Sequence, residues 1–231
     1  MDELFTLLED SKRELQIYFE FLWRFCQREK KINLPKGTPL QSELQKILLS
    51  NSFILLYNTI EKICAKLINF IITTINNINE LKLGYEELNP TFQKIWLNEK
   101  MNALLSLNTD NAKAYFWESI FNPLKNNESL KLKLFVPAGN FSFKEITDFC
   151  KKYDIKCPKG SKEVFSCFKI IKEMRNQLAH GNISFIEASQ DRIFSDFKAN
   201  KKIVLSTLLE LLNNANDLIT NEAYLQKNSL K

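Results

Sequence analysis

Histidine occurs once in the 231 residues, glycine five times and proline six. With a single imidazole, and five cysteines (Cys26, Cys64, Cys150, Cys157, Cys167) that form no Cys-x-x-Cys pair, a zinc site of the usual Cys/His kind has no support, and neither metal nor cofactor is expected. An odd cysteine count points to buried, reduced thiols. Met1-Asp2-Glu3 lacks the basic start of a signal peptide, and the expectation is a cytoplasmic protein. There is no Gly-x-x-x-x-Gly-Lys-Ser/Thr loop, which removes P-loop nucleotide hydrolysis, and no Cys/His or Ser/His/Asp spacing that would support acyl transfer. An uninterrupted membrane-length run is missing too. The most apolar stretch, Phe53 to Ile75, contains Glu61, Lys62 and Lys66. Each charge costs about 2.5–3.5 kcal/mol at bilayer depth, so this stretch is expected to be the central helix of a soluble protein.

What is abundant fits the same picture. Few breakers, 45% apolar residues and 18 phenylalanines predict an all-α fold around a thick aromatic core. Leu4, Leu7, Leu8, Leu15, Tyr18, Phe19, Leu22 and Phe25 recur at helical spacing over residues 2–31, and LPKGTP (34–39) ends that helix. A second helix is expected from about Gln41 to Asn79, with a turn at Gly84 and a third helix opened by Pro90 at its first position. A short helix at 110–122 should close at Asn122-Pro123, and LKLKLFVP (130–137) alternates like a strand or, lacking a visible partner, is an extended connection.

Ser142-Phe-Lys-Glu145 has the capping-box pattern and begins a helix reaching about Tyr153, followed by a loop over 154–160. Ser161 caps a helix from Lys162 to about Ala179, with Val164, Phe168, Ile171 and Leu178 facing inward. A last helix runs from about Arg192 to Gln226 and offers Ile203, Leu205, Leu208, Leu209, Leu212 and Leu218 to the core. No internal repeat or low-complexity linker divides the chain. One domain, 1–231, is expected, with its motif helix at about 162–180, a less regular insertion at about 84–160, and at most one short strand or hairpin.

Charge is unevenly placed. Between Lys151 and Arg175 eight basic residues face three acids, a surplus equal to the +5 of the whole chain. Such a field suits a polyanionic ligand, although a lysine-rich surface gives the same count. The basic segment leads into Met174-Arg-Asn-Gln-Leu-Ala-His-Gly181, which holds the lone histidine. Asn176 and His180 lie four apart, about 40° around a helix, so they share a face; Arg175 is about 140° from His180. Arg175 and His180 therefore converge only if the helix loosens near Gly181 or a second chain completes the site. An imidazole can exchange protons at neutral pH, and an arginine fork binds phosphate. Together they suit phosphoryl transfer by the 2′-hydroxyl of RNA.

Arg175-Asn176-x-x-x-His180 resembles the signature of HEPN domains. RNQLAHGNISF (175–185) is similar to a bacterial branch in which RNxLAHG precedes a Ser-Phe pair, and FILLYNTIEKI (53–63) and AGNFSFKEITDFCKKYDI (138–155) resemble that branch as well. The resemblance implies a helical bundle that dimerises and brings two motifs to a shared cleft. It further implies a metal-independent endoribonuclease, acting as a toxin or in anti-phage defence, with an antitoxin or defence partner. On that analogy His180 is the acid/base group, Arg175 binds phosphate and stabilises charge, Asn176 fills the polar position, and Glu61 orients Arg175. Lys169 and Lys172 are candidates to follow an RNA backbone. Some HEPN domains instead bind nucleotides, RNA or partners without cutting, and that reading is retained.

Overall fold

A computed structural model describes residues 1–27, 39–78, 84–128, 130–133 and 141–226. The fold is all-α, as expected. In chain order come α1 (Asp2–Gln27), α2 (Pro39–Ile78), α3 (Pro90–Leu105), α4 (Thr109–Phe116), a π-helical turn (Trp117–Phe121), α5 (Asn122–Lys125), α6 (Phe143–Lys152), α7 (Lys162–Ala179), α8 (Phe185–Ala188) and α9 (Phe194–Thr220). The expected loop at 34–38 lies outside the described residues, as do 28–31, where the first helix was expected to finish. No described helix is long and apolar enough to cross a membrane. Two compact units can be distinguished. The first comprises Met1–Cys64, Ala138–Thr147 and Pro158–Leu212; the second comprises Ala65–Pro137, Asp148–Cys157 and Asn213–Lys231.

The first unit contains the motif helix. Leu4, Leu8, Leu15, Phe19 and Leu22 form the buried stripe of α1, and Phe53, Leu56, Tyr57 and Ile60 are fully buried in α2. Phe53 packs on Phe197 of α9 with ring centroids 4.9 Å apart, Phe19 meets Phe194 at 6.1 Å, and Phe143 of α6 packs edge-on against Phe168 of α7 at 5.7 Å. Each fully buried Leu, Ile or Phe contributes roughly 1.5–3 kcal/mol, so this mixed aliphatic and aromatic core supplies the driving force. In α7, Phe168, Ile171 and Leu178 are buried as expected, together with Cys167, while Val164 is only half-buried. Leu209 is a plain correction: it is 44% exposed, because Leu208, Leu211 and Leu212 already fill the inward face of α9. Of the cysteines, Cys64, Cys150 and Cys167 are buried thiols, but Cys26 and Cys157 are only half-buried.

The second unit decides between the two readings of residues 130–133 and departs from expectation at two helix ends. Leu130 and Leu132 are buried and Lys131 and Lys133 exposed, so the alternation of LKLKLFVP is real, but residues 130–133 form no strand. Side chains bond the backbone of Leu132 and Lys133. Asn76 of α2 accepts from the Leu132 N–H at 2.7 Å and donates to its carbonyl at 2.8 Å, and Glu99 accepts from the Lys133 N–H. Residues 134–137 lie outside the described set; among described residues the only extended pairing is an isolated antiparallel bridge between Leu88 and Leu225. The helix expected to stop at Asn122-Pro123 continues to Lys125. Asn122 donates five residues back to the Trp117 carbonyl, which widens the turn just before Pro123, and a proline in a first turn needs no N–H. The final helix ends at Thr220, short of Gln226.

Asn89 ties this unit together. It caps α3 by accepting from the Thr91 and Phe92 N–H groups, and its amide donates to the Ala223 carbonyl at 2.6 Å. Replacing Asn89 by Ala removes a helix cap and leaves buried groups unpaired, a combined loss of about 2 kcal/mol. Urea unfolding followed by circular dichroism should show that loss, whereas a surface substitution such as Asn98→Ala should cost less than about 0.5 kcal/mol.

Candidate functional site

The boundaries of α7 decide where the motif stands. Ser161 accepts from the Val164 N–H and starts the helix. At the other end Gly181 adopts φ +68°, a left-handed conformation that costs a residue with a Cβ roughly 1–2 kcal/mol. That turn lets Gly181 donate to the Leu178 carbonyl and Asn182 to the Gln177 carbonyl, closing the helix. His180 therefore sits at the C-cap, its N–H still bonded to the Asn176 carbonyl at 3.0 Å, with its side chain exposed. Leu178 is buried and holds this last turn against the core. Ser184 and Glu187 then form a reciprocal capping box that starts α8, as their spacing predicts.

Arg175 lies on a different side of the helix and is restrained from several directions. Its Nη1 donates to Asn176 Oδ1 at 2.9 Å, and its Nη2 lies 3.5 Å from Glu61 Oε2 on α2. Its Cζ is 4.2 Å from the centroid of the Tyr57 ring, one turn before Glu61. The Arg175 and Glu61 side chains retain 26% and 32% of their surface, so the pair is half-buried. Screening limits its contribution to about 1 kcal/mol or less, while the direction it imposes on the guanidinium is retained. Asn176 directs its oxygen to Arg175, so the amide expected beside His180 is engaged with the neighbouring arginine instead. Arg175, Asn176 and Glu61 are thus brought together, with His180 at the end of the same helix.

Tyr57 is the residue that sequence reasoning did not assign to the site. It is fully buried, and its hydroxyl accepts from the Phe141 N–H at 3.2 Å. Burial raises its phenol above the ordinary value; the Phe141 N–H and the Arg175 charge act in the opposite direction. The available signal was its spacing four before Glu61 on an otherwise aliphatic face, where a phenol needs a polar partner.

The two lysines differ. Lys169 is 72% exposed and faces Glu173 at 3.8 Å, a surface pair that leaves it accessible. Lys172 is 20% exposed and reaches Glu145 at the start of α6, 3.4 Å away. Glu145 also accepts from the backbone and hydroxyl of Ser142, which begins the helix that Ser142-Phe-Lys-Glu145 foretold. Among the described residues no group of three or more His, Cys, Asp or Glu side chains is placed to hold a metal ion.

Arg175 and Asn176 thus lie in the last turns of α7 and His180 at its C-cap, within an all-α fold. The family described as MAE_28990-like HEPN (HEPN_MAE_28990) matches residues 1–224, nearly the entire chain, and the chain belongs to that family. HEPN domains are generally RNases or nucleotide-binding modules, and they commonly bind RNA or dimerise. No curated protein and no solved structure matches the chain.

The Glu145 cluster has a pH signature. Partial burial opposes ionisation of Glu145, but the Ser142 hydrogen bonds and the Lys172 charge outweigh it and hold the carboxyl below its usual range. A depressed folded value gives stability that is present above the unfolded pKa and lost as pH falls through the folded one. Wild type should therefore exceed Glu145→Gln in stability at pH 7, by less than about 1 kcal/mol after screening. Thermal melts should show that gap closing as the pH drops below about 4, and a gap that widens in acid would contradict the assignment.

Proposed function

We propose that the protein is a metal-independent endoribonuclease that cleaves RNA by attack of its own 2′-hydroxyl. The attack expels the 5′-oxygen and leaves a 2′,3′-cyclic phosphate. The observation that carries this reading is the restrained, partly open guanidinium of Arg175 on the same helix as the solvent-facing His180. Arg175 binds the scissile phosphate and stabilises the charge added during attack. His180 moves protons, and Glu61 and Asn176 hold the arginine in place. The reaction takes a proton from the 2′-hydroxyl and delivers one to the leaving oxygen. One histidine per chain supplies only one of these roles at a time, so two copies acting across a homodimer cleft satisfy both. Exposed Lys169 is suited to a neighbouring phosphate, whereas Lys172 serves RNA only by releasing Glu145. The proposal extends to work in the cytoplasm as a toxin or anti-phage component, checked by an antitoxin or defence partner; its support is the resemblance of the 175–185 motif to nucleases of that kind.

A non-catalytic reading, as a nucleotide- or RNA-binding module or a scaffold subunit of a defence or toxin–antitoxin complex, draws on another observation. Leu105, Phe116, Trp117 and Phe121 are exposed in the second unit, and the last three stack on one another. Exposed apolar clusters of this kind mark protein contacts.

The deciding experiment incubates wild type, His180→Ala and Arg175→Ala with total RNA in EDTA, after matching their fold and oligomeric state. Wild type should cut and leave cyclic phosphate ends, and each variant should lose about 100-fold or more in rate. Uncut RNA with intact wild type would transfer support to the scaffold reading, and equal cleavage by all three would mean that the site is placed wrongly.

A further inference from the structure

Tyr57 connects the guanidinium to a segment 84 residues later in the chain. One face of its ring lies under Arg175 at 4.2 Å, well inside the range of about 6 Å over which a ring quadrupole attracts a cation. Its hydroxyl is fastened to the backbone N–H of Phe141, itself buried just before α6. The helix it occupies does not require a tyrosine for packing. Leu56, Ile60, Ile63 and Leu67 fill the neighbouring core positions of α2 with aliphatic chains. An aliphatic residue at 57 would fill space but would offer neither a π face to Arg175 nor an acceptor to Phe141.

The other restraints on Arg175 leave a gap that the ring fills. Asn176 is the adjacent residue on the same helix, so its bond to Nη1 constrains one edge of the fork. Glu61 constrains a second edge across the helix pair, at the long distance of 3.5 Å. Both engage N–H groups at the rim of the fork, and neither touches the guanidinium face. The Tyr57 ring covers that face. The ring in turn is prevented from sliding by the Phe141 bond, and α6 is fastened to α7 by the pair between Glu145 and Lys172.

We infer that Tyr57 is a positioning residue for Arg175, its ring setting the depth and plane of the guanidinium and its hydroxyl holding the ring against residue 141. Its kinetic consequence rests on the assignment of Arg175 to the phosphate; its structural consequence does not. Burial keeps the phenol protonated, so the hydroxyl acts as a fixed anchor and takes no part in proton exchange.

The test reads the arginine directly. In the 1H–15N spectrum of arginine side chains, the Nε–H of Arg175 is assigned by its loss in Arg175→Lys. In wild type it should carry a ring-current shift away from the free-arginine position. Tyr57→Leu should return it to that position and lower kcat on RNA about tenfold with little change in KM; Tyr57→Phe, which keeps the ring but not the Phe141 bond, should keep a smaller shift in the same direction and recover only part of kcat. A wild-type resonance at the free-arginine position, or one unmoved by Tyr57→Leu, overturns the inference. If Tyr57→Leu fails to fold, the wild-type and Tyr57→Phe spectra decide: a shared ring-current shift supports the inference and its absence refutes it. Wild type that cuts no RNA but shows the Tyr57-dependent shift would sink the nuclease reading and keep this one. Active enzyme with an unshifted arginine would do the reverse.

Discussion

A guanidinium does not give up its charge at any pH a cell encounters, so each part of Arg175 that leaves water needs a compensating group. Asn176 and Glu61 provide oxygen at two edges and Tyr57 provides a π face. The rest of the first unit can be understood as the means of bringing those three groups to one place. The core of α2 carries Tyr57 and Glu61 one turn apart, Leu178 holds the end of α7 inward, and the Gly181 turn stops that helix immediately after His180. If α7 continued, His180 would sit within a helix wall. Because it stops, the imidazole is an exposed side chain at a helix end.

Where elements are defined by local chemistry, the sequence foretells them closely. Ser161 and Gly181 bound α7 because a hydroxyl can satisfy first-turn N–H groups and a glycine can take positive φ; both depend only on residue type and position. The same holds for Ser184 and Glu187. Of the two readings of residues 130–133, the extended connection holds for a physical reason: period-two burial arises wherever a chain runs extended over a core, whether or not a second strand pairs with it. Here Asn76 takes the strand's place with one amide, and that partner is more than fifty residues away. Pro123, by contrast, misled. A proline ends a helix only if the preceding turn cannot loosen, and the π-helical turn at Trp117–Phe121 supplies the extra width.

The candidate site was legible in its members and less so in its contacts. Spacing placed Asn176 on the face of His180, yet its oxygen goes to Arg175, because an adjacent cation offers a shorter, charge-assisted bond. The pairing of Glu61 with Arg175 was implied by the family resemblance alone, and in the structure the two lie 3.5 Å apart. Tyr57 was concealed by its surroundings. In a chain with 18 phenylalanines an aromatic in an aliphatic helix reads as core, although the resemblance of FILLYNTIEKI (53–63) to a family helix with a tyrosine and a glutamate already touched it. Lys172 shows the converse: within a basic run it reads as a ligand for phosphate, but burial has paired it with Glu145.

Magnitudes separate what holds this protein together from what orients its site. A fully buried side chain such as Phe53 or Phe168 is worth roughly 1.5–3 kcal/mol, while a half-exposed pair such as Arg175 with Glu61 is worth about 1 kcal/mol or less. The Arg175–Glu61 pair is therefore nearly irrelevant to whether the chain folds. The groups around Arg175 are nonetheless convergent, drawn from α2, α7 and the segment before α6, and each removes a different freedom from one side chain. A contact set that adds little stability and much direction is what a group must have if it is to meet a phosphate in a fixed geometry. In such a site misplacement by an ångström costs far more rate than the same contacts return in stability.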